Sequence, residues 1–174
     1  LAKKLTNIEK SAHIMMKELI KKPTTLKAKY FIPGNIILYT YKAKYEKNPY
    51  DASPVLLVLK RNTKYTIGIN INWVPLPLRK GIMSILLNSS NMKRMRQGKD
   101  LILPKTLVKQ IFKMGLPAFR KYLNNRISPK GVVLPKEDYI KVINLRAEHF
   151  IGISADDAWK IAVKKLKKNK RGRK

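Results

Sequence analysis

The chain contains no cysteine and only 10 acidic residues against 39 lysines and arginines. The missing cysteines exclude disulfides, thiolate metal ligands and cysteine nucleophiles. Carboxylates are absent from residues 52–99 and again from 101–136, so acid–base or metal chemistry would have few groups to draw on. His13 and His149 are the only histidines, without His-x-x-x-His spacing, which argues against a zinc site. No Walker loop, dinucleotide-binding glycine fingerprint or serine-nucleophile elbow occurs. The longest apolar run, residues 55–59, is strand-sized and far short of the roughly 18–20 residues of a membrane span. Glu9, Lys10 and His13 interrupt any leader-like apolar stretch near the start, so no secretory leader is expected there. The scarcities point away from an enzyme, a metal protein, a cofactor carrier and a membrane-spanning protein.

What is abundant is positive charge. The formal net charge is +29, yet 44% of the residues are hydrophobic, enough for a real core. Self-repulsion on that scale opposes compaction, so a polyanionic partner is expected to neutralise it. Nucleic acid leads, because closely spaced phosphates release counterions when they are bound. A membrane surface and an acidic protein assembly follow.

Thr6 and Glu9 have capping-box spacing, and Ile8, Ala12, Met15, Met16, Leu19 and Ile20 recur at helical intervals until Pro23. These predict an N-terminal helix over residues 6–22, followed by a connector to Gly34. Strand chemistry comes next. Ile37, Tyr39, Tyr41, Ala43 and Tyr45 share one parity, and residues 55–59 are apolar on both faces. In residues 65–72, Tyr65, Ile67, Ile69 and Ile71 are expected to face inward and Thr66, Gly68, Asn70 and Asn72 outward. The short loop "KRNTK" makes the last two strands an antiparallel hairpin. Three strands on short turns suggest a small curled sheet.

Beyond Pro75 the period turns helical, with Leu78, Ile82, Ile85 and Leu86 as the expected apolar face. Residues 88–98 read as a basic loop, 103–114 as a helix, and 118–124 as a short helix after the break at Gly115 and Pro117. Residues 128–133 read as a turn with a short strand. A further helix opens at Pro135 and runs to Ala147, and a last one begins after Ser154, burying Ala158, Trp159, Ala162, Val163 and Leu166. Glu137/Asp138 and Asp156/Asp157 are explained by first-turn positions on these helices, against the alternative of a nuclease-like metal cluster. Asp51, after Pro49 and Tyr50, is expected to bond nearby backbone in a turn, with a catalytic role as the lesser reading.

The basic residues are better organised. Lys93, Arg94, Arg96 and Lys99 fall on the predicted loop, and Lys105, Lys109 and Lys113 form a stripe on the helix after it. A solvated face explains the stripe more readily than binding does. The end of the chain is different: Lys164, Lys165, Lys167, Lys168, Lys170, Arg171, Arg173 and Lys174 continue past any apolar face they might solubilise. Such a block contacts phosphates without reading bases. Tyr39, Tyr41 and Tyr45 could stack on exposed bases, but their shared parity favours packing.

Pro49-Tyr50-Asp51, Pro54, Gly68, Asn70, Trp73, Pro75 and Arg79, continued by "FRKYLNNRI" and "AEHFIGIS", form a pattern spanning roughly residues 36–165. It resembles the DNA end protector family of T4-like tailed bacteriophages. Asn72 stands where relatives carry His, and residues 1–33 have no counterpart. The resemblance implies a non-enzymatic virion protein, made in the host cytoplasm, that binds double-stranded DNA or its ends near the portal. It also admits a neck, tail or baseplate component contacting acidic protein neighbours. A small nuclease on an SH3-like sheet is the remaining alternative. The expected architecture is α+β: a small antiparallel sheet, SH3-like or a partial barrel, of three or more strands, flanked by an N-terminal helix and several C-terminal helices. Residues 1–33 would be a helical extension, 34–163 a single domain and 164–174 a basic tail.

Overall fold

The three alternating segments form the centre of a six-stranded antiparallel sheet. The computed structural model describes residues 18, 21–45, 49–97, 99, 101–102, 105–106 and 118–171, so the expected N-terminal helix and most of residues 103–114 lie outside it. The strands are β1 (Thr24–Thr25), β2 (Ile36–Tyr41), β3 (Tyr50–Asp51), β4 (Val55–Arg61), β5 (Tyr65–Asn70), β6 (Phe119–Leu123), β7 (Ile127–Val133) and β8 (Phe150–Ile151). The order in the large sheet is β1-β7-β2-β4-β5-β6, while β3 and β8 pair separately. The α-helices are α1 (Leu76–Leu86), α2 (Ser89–Arg96) and α3 (Ala155–Arg171). The fold is therefore α+β. Among the described residues no helix is long and apolar enough to cross a membrane.

The sheet cannot be flat. β6 and β7 are consecutive in the chain, joined only by the 3-10 turn Asn124–Arg126, yet three strands stand between them in the sheet. A flat arrangement would separate them by about 19 Å. The connection from Leu123 to Ile127 can span at most about 15 Å. The sheet curls to close that difference, helped by register shifts between Tyr39 and Tyr41 and between Val58 and Lys60. Asn124 fastens the junction: its Nδ2 donates to the carbonyls of Asn62 at 2.8 Å and Thr63 at 3.1 Å, and its Oδ1 accepts from Thr66 Oγ1 at 2.7 Å.

Curling buries both faces. Ile36, Leu38, Val55, Leu57 and Ile69 pack with Met83, Leu86, Val142, Leu145 and Ala158 on the helical side. On the other side Phe31, Ile37, Tyr39, Tyr41, Leu56, Val58 and Tyr122 form a second core. The expected outward set is thus corrected. Thr66, Asn70 and Asn72 are fully buried, whereas Ile67 is only half-buried. Alternation separates two faces but does not say whether the second is covered. Ile71 and Asn72 also leave the strand, in the 3-10 turn Ile71–Trp73.

Other expectations change for physical reasons. Residues 119–123 form a strand because β5 offers an open edge, pairing Ile69 with Phe119 and Tyr65 with Leu123. Residues 88–98 contain helix α2, not a loop, because the Asn88 side chain caps it by accepting from Asn91 N at 2.8 Å. Lys136–Asn144 is a 3-10 helix ending before Ala147; its Tyr139 hydroxyl accepts from Ile36 N at 3.2 Å. Helix α1 buries Arg79, Met83 and Leu86, leaving the expected inward residues Leu78 and Ile85 exposed. Arg79 is the reason. Its Nε donates to Val74 O at 2.9 Å and its Nη1 to Leu145 O, which turns α1 about that anchor. Burial pushes the guanidinium down to about 10, partly opposed by Glu148, so it stays charged at neutral pH.

Gly68 on β5 lies directly against Leu56 and Leu57 of β4. A Cβ there would collide with the Leu57 carbonyl oxygen and approach Leu56 Cδ1 to 2.7 Å, whereas one at Gly81 in α1 would meet nothing within 4 Å. Gly68→Ala should therefore lower unfolding free energy by about 2 kcal/mol. Gly81→Ala should raise it by about 0.5–1 kcal/mol. Urea titrations followed by circular dichroism check both signs, and equal effects would contradict the close approach.

Candidate functional site

Asp51 is 2% exposed, a carboxylate inside a strongly cationic protein. Its strand β3 pairs with β8, placing Tyr50 opposite Ile151 and Asp51 opposite Phe150. Oδ1 accepts from the backbone amides of Ser53 at 3.0 Å and His149 at 3.2 Å. Oδ2 accepts from Asn70 Nδ2 at 2.9 Å and Asn72 Nδ2 at 2.7 Å. Four donors match the roughly four acceptor sites of a carboxylate. No acceptor is left for a metal or a substrate proton, so Asp51 has an architectural task here. The expected local bond, to Ser53, is present; the three longer-range ones were not foreseen.

The network extends outward. Asn70 Nδ2 also donates to the Tyr122 hydroxyl at 3.0 Å, and Asn70 Oδ1 accepts from Asn72 N at 3.0 Å. Trp159 Nε1 of α3 donates to the Asn72 carbonyl at 2.8 Å. Burial, with the nearby Asp51 carboxylate adding to it, pushes the Tyr122 phenol far up. Burial likewise raises Tyr39, followed by Tyr122 and Tyr41, so this core holds neutral phenols. Their rings meet edge to face, Tyr122 lying 5.7 Å from Tyr39 and 4.8 Å from Tyr41.

Beside this core opens a pocket of about 280 Å³. Tyr41, Tyr45, Tyr50, Trp73, Arg120 and Lys121 line it, with Lys44 and the edge of Asp51. The Arg120 guanidinium lies 3.8 Å over the Trp73 ring, and Lys121 Nζ lies 3.7 Å over Tyr65. Burial holds Arg120 below its ordinary value, opposed by Tyr122 and Asp51. Its Nε is buried without a hydrogen-bond partner, and it makes no ion pair among the described residues. A larger groove, about 530 Å³, runs along α3 past Asp156, Trp159, Lys160 and Val163, but its lining comes from one helix and gives it a single wall.

The basic residues singled out by sequence lie elsewhere. Lys93, Arg94 and Arg96 occupy the last turn of α2. Lys99 donates its amide to Arg94 O at 2.9 Å, and its own carbonyl accepts from Lys136 Nζ at 2.6 Å. Lys105 is exposed, while Lys109 and Lys113 lie outside the described residues. Lys164 is exposed on α3, and the helix backbone continues through Lys165, Lys167, Lys168, Lys170 and Arg171. The basic block is thus largely helical; Arg173 and Lys174 lie outside the described residues. None of this set lines the pocket, whose cations Lys44, Arg120 and Lys121 were missed. Reading "FRKYL" as a strand would have put Arg120 and Tyr122 on one face.

Among the described residues no three His, Asp or Glu side chains converge as a metal site would require. Comparison of the chain with protein-family models, curated proteins and solved structures finds no match.

Asp51→Asn keeps the volume but turns one of two acceptor oxygens into a donor facing donors. It should cost about 3 kcal/mol. Tyr122→Phe, which removes one neutral partner of Asn70, should cost about 1 kcal/mol. Chemical denaturation of the three proteins tests this ranking; an Asp51→Asn cost no larger than that of Tyr122→Phe would contradict a saturated carboxylate.

Proposed function

We propose that the chain is a non-enzymatic virion protein of a tailed phage that binds the DNA backbone or genome ends near the head–tail junction. One observation supports its nucleic-acid part: among the described residues four of the few acids are already engaged, while the cations are in large surplus. Asp51 accepts four hydrogen bonds, while Asp138, Glu148 and Asp157 pair with Lys141, Arg146 and Lys160. Against a net charge of +29, those pairs neutralise little. Phosphate binding by such a surface is sequence-independent and salt-sensitive.

The strand order supports an SH3-like form of the curled sheet, since the 3-10 turn at Asn124–Arg126 carries the chain from one end of the barrel-like set to the other. The phage reading itself rests on the resemblance of residues 36–165. A neck, tail or baseplate component facing acidic proteins is the second reading, favoured by Ile140, 63% exposed, and by Leu78 and Ile85 on the outer face of α1. The nuclease alternative loses Asp51 as a catalytic carboxylate, because its oxygens are fully bonded.

Replacing Lys164, Lys165, Lys167, Lys168 and Lys170 by Gln keeps helix-forming side chains while removing the charge. Affinity for any duplex should fall, and the slope of log affinity against log salt should flatten by about 4–5 if all five contact phosphates. Fluorescence anisotropy over a salt series reads this, with circular dichroism confirming retained helix. An unchanged slope in a folded variant would move the charge to an acidic protein partner.

A further inference from the structure

The pocket beside Tyr45 has no part in backbone binding by the helices, and its chemistry is more selective than theirs. Three cations, Lys44, Arg120 and Lys121, share its lining with one carboxylate, Asp51, whose oxygens are all engaged. Among the described residues the local balance is positive. The remaining walls are largely aromatic: Tyr41, Tyr45, Tyr50 and Trp73. Tyr45 is 65% exposed, and Lys44 Nζ lies 5.1 Å over its ring. An exposed ring beside positive charge suits a ligand with a flat π-face and an attached anion.

Size narrows the choice. At about 280 Å³ the space lies at the small end of ligand sites, wide enough for one planar base but not for a base pair. Arg120 adds directional preference, since its Nε is buried without a partner and its guanidinium is already stacked on Trp73. Arg120 is only half-buried and lines the pocket, so an incoming phosphate would meet its charge without breaking an existing ion pair among the described residues.

We propose that this pocket binds one unpaired nucleotide of single-stranded DNA, its base against Tyr45 and the neighbouring tyrosines, its phosphate against Arg120 and Lys121. The inference rests on the nucleic-acid reading above and adds to it a preference for unstacked bases. Duplex binding by the helical lysines needs no such site.

The test uses the full chain and three fluorescent probes: a short oligothymidylate, an abasic chain with the same number of phosphates, and a duplex. The oligothymidylate should bind about tenfold more tightly than the abasic chain, the size expected of one stacked base. Tyr45→Ala should abolish that preference while leaving abasic and duplex affinities unchanged, and Tyr45→Phe should retain it. Tyr45 is exposed, so neither change empties a core. Lys121→Gln should weaken both single strands alike and flatten their salt slope by about 0.7. Equal binding of oligothymidylate and abasic chain by the unaltered protein overturns the pocket while leaving backbone binding intact. Failure to bind any of the three overturns both readings. Loss in Tyr45→Ala of binding to polyglutamate, with the oligothymidylate preference unchanged, assigns the pocket to an acidic protein instead.

Discussion

The Asp51 carboxylate joins four separated parts of the chain at one point. Its donors come from Ser53, Asn70, Asn72 and His149, on the connection after β3, the end of β5, the following 3-10 turn and the segment before β8. Two of these are backbone amides and two are side-chain amides, so one charge orders four segments. A buried carboxylate is strongly unfavourable unless its oxygens are bonded. Here that demand specifies the positions of Asn70 and Asn72, and they in turn fix their neighbours. Asn70 reaches Tyr122 on β6, while the carbonyl of Asn72 receives Trp159 of α3. The tyrosine core and the basic helix therefore share one point of attachment.

That arrangement explains how so cationic a chain keeps a defined shape. Two of its few carboxylates, Asp51 and Asp157, organise backbone and a helix end. Asp157 caps α3 reciprocally with Ser154, whose hydroxyl accepts from Asp157 N at 3.1 Å and donates to its carboxylate at 2.8 Å. The bond from Ser154, then the contact with Lys160, hold its carboxyl below the ordinary value. Arg79 solves the opposite problem, a buried cation, by donating to the carbonyls of Val74 and Leu145. Each buried charge thus ties α1 or β3 to distant chain by bonds that an apolar side chain could not make. The exposed ion pairs Lys141–Asp138 and Lys160–Asp157 add little by comparison.

The sequence pattern made the central hairpin legible, because strict alternation over residues 65–71 has no helical equivalent. It also marked Ser154 as a helix start, but the turn expected at Pro49-Tyr50-Asp51 is instead strand β3, because Tyr50 and Asp51 find a pairing partner in β8. What it concealed were consequences of closure. Thr66, Asn70 and Asn72 look like a solvent face, yet they are buried and bonded to Asn124, Tyr122 and Asp51, and polarity in a strand does not announce a buried network. "FRKYL" carries no decisive period over five residues, so the edge of β5 rather than local propensity makes it a strand. Arg79 reads as a surface residue by composition and is fully buried. The pocket was illegible for the same reason, since it gathers Tyr45, Trp73 and Arg120 from three separated segments.

Closure also bears on why a rigid sheet accompanies so much mobile charge. Lysine side chains on a helix can follow any phosphate chain, but each loses rotamer freedom when it does so. Arg120 is already half-buried and stacked on Trp73, which itself packs 4.8 Å from Phe150, the residue of β8 paired with Asp51. Much of its ordering cost is therefore met on folding rather than on contact with a ligand. On the nucleic-acid reading proposed above, the helical lysines would supply long-range attraction and the sheet fixed geometry at one point. Because Trp159 hangs from the Asn72 carbonyl and Asn72 from Asp51, α3 and the pocket wall keep their attachment to the same carboxylate. A ligand reaching both would meet two kinds of cation whose separation is set by the fold.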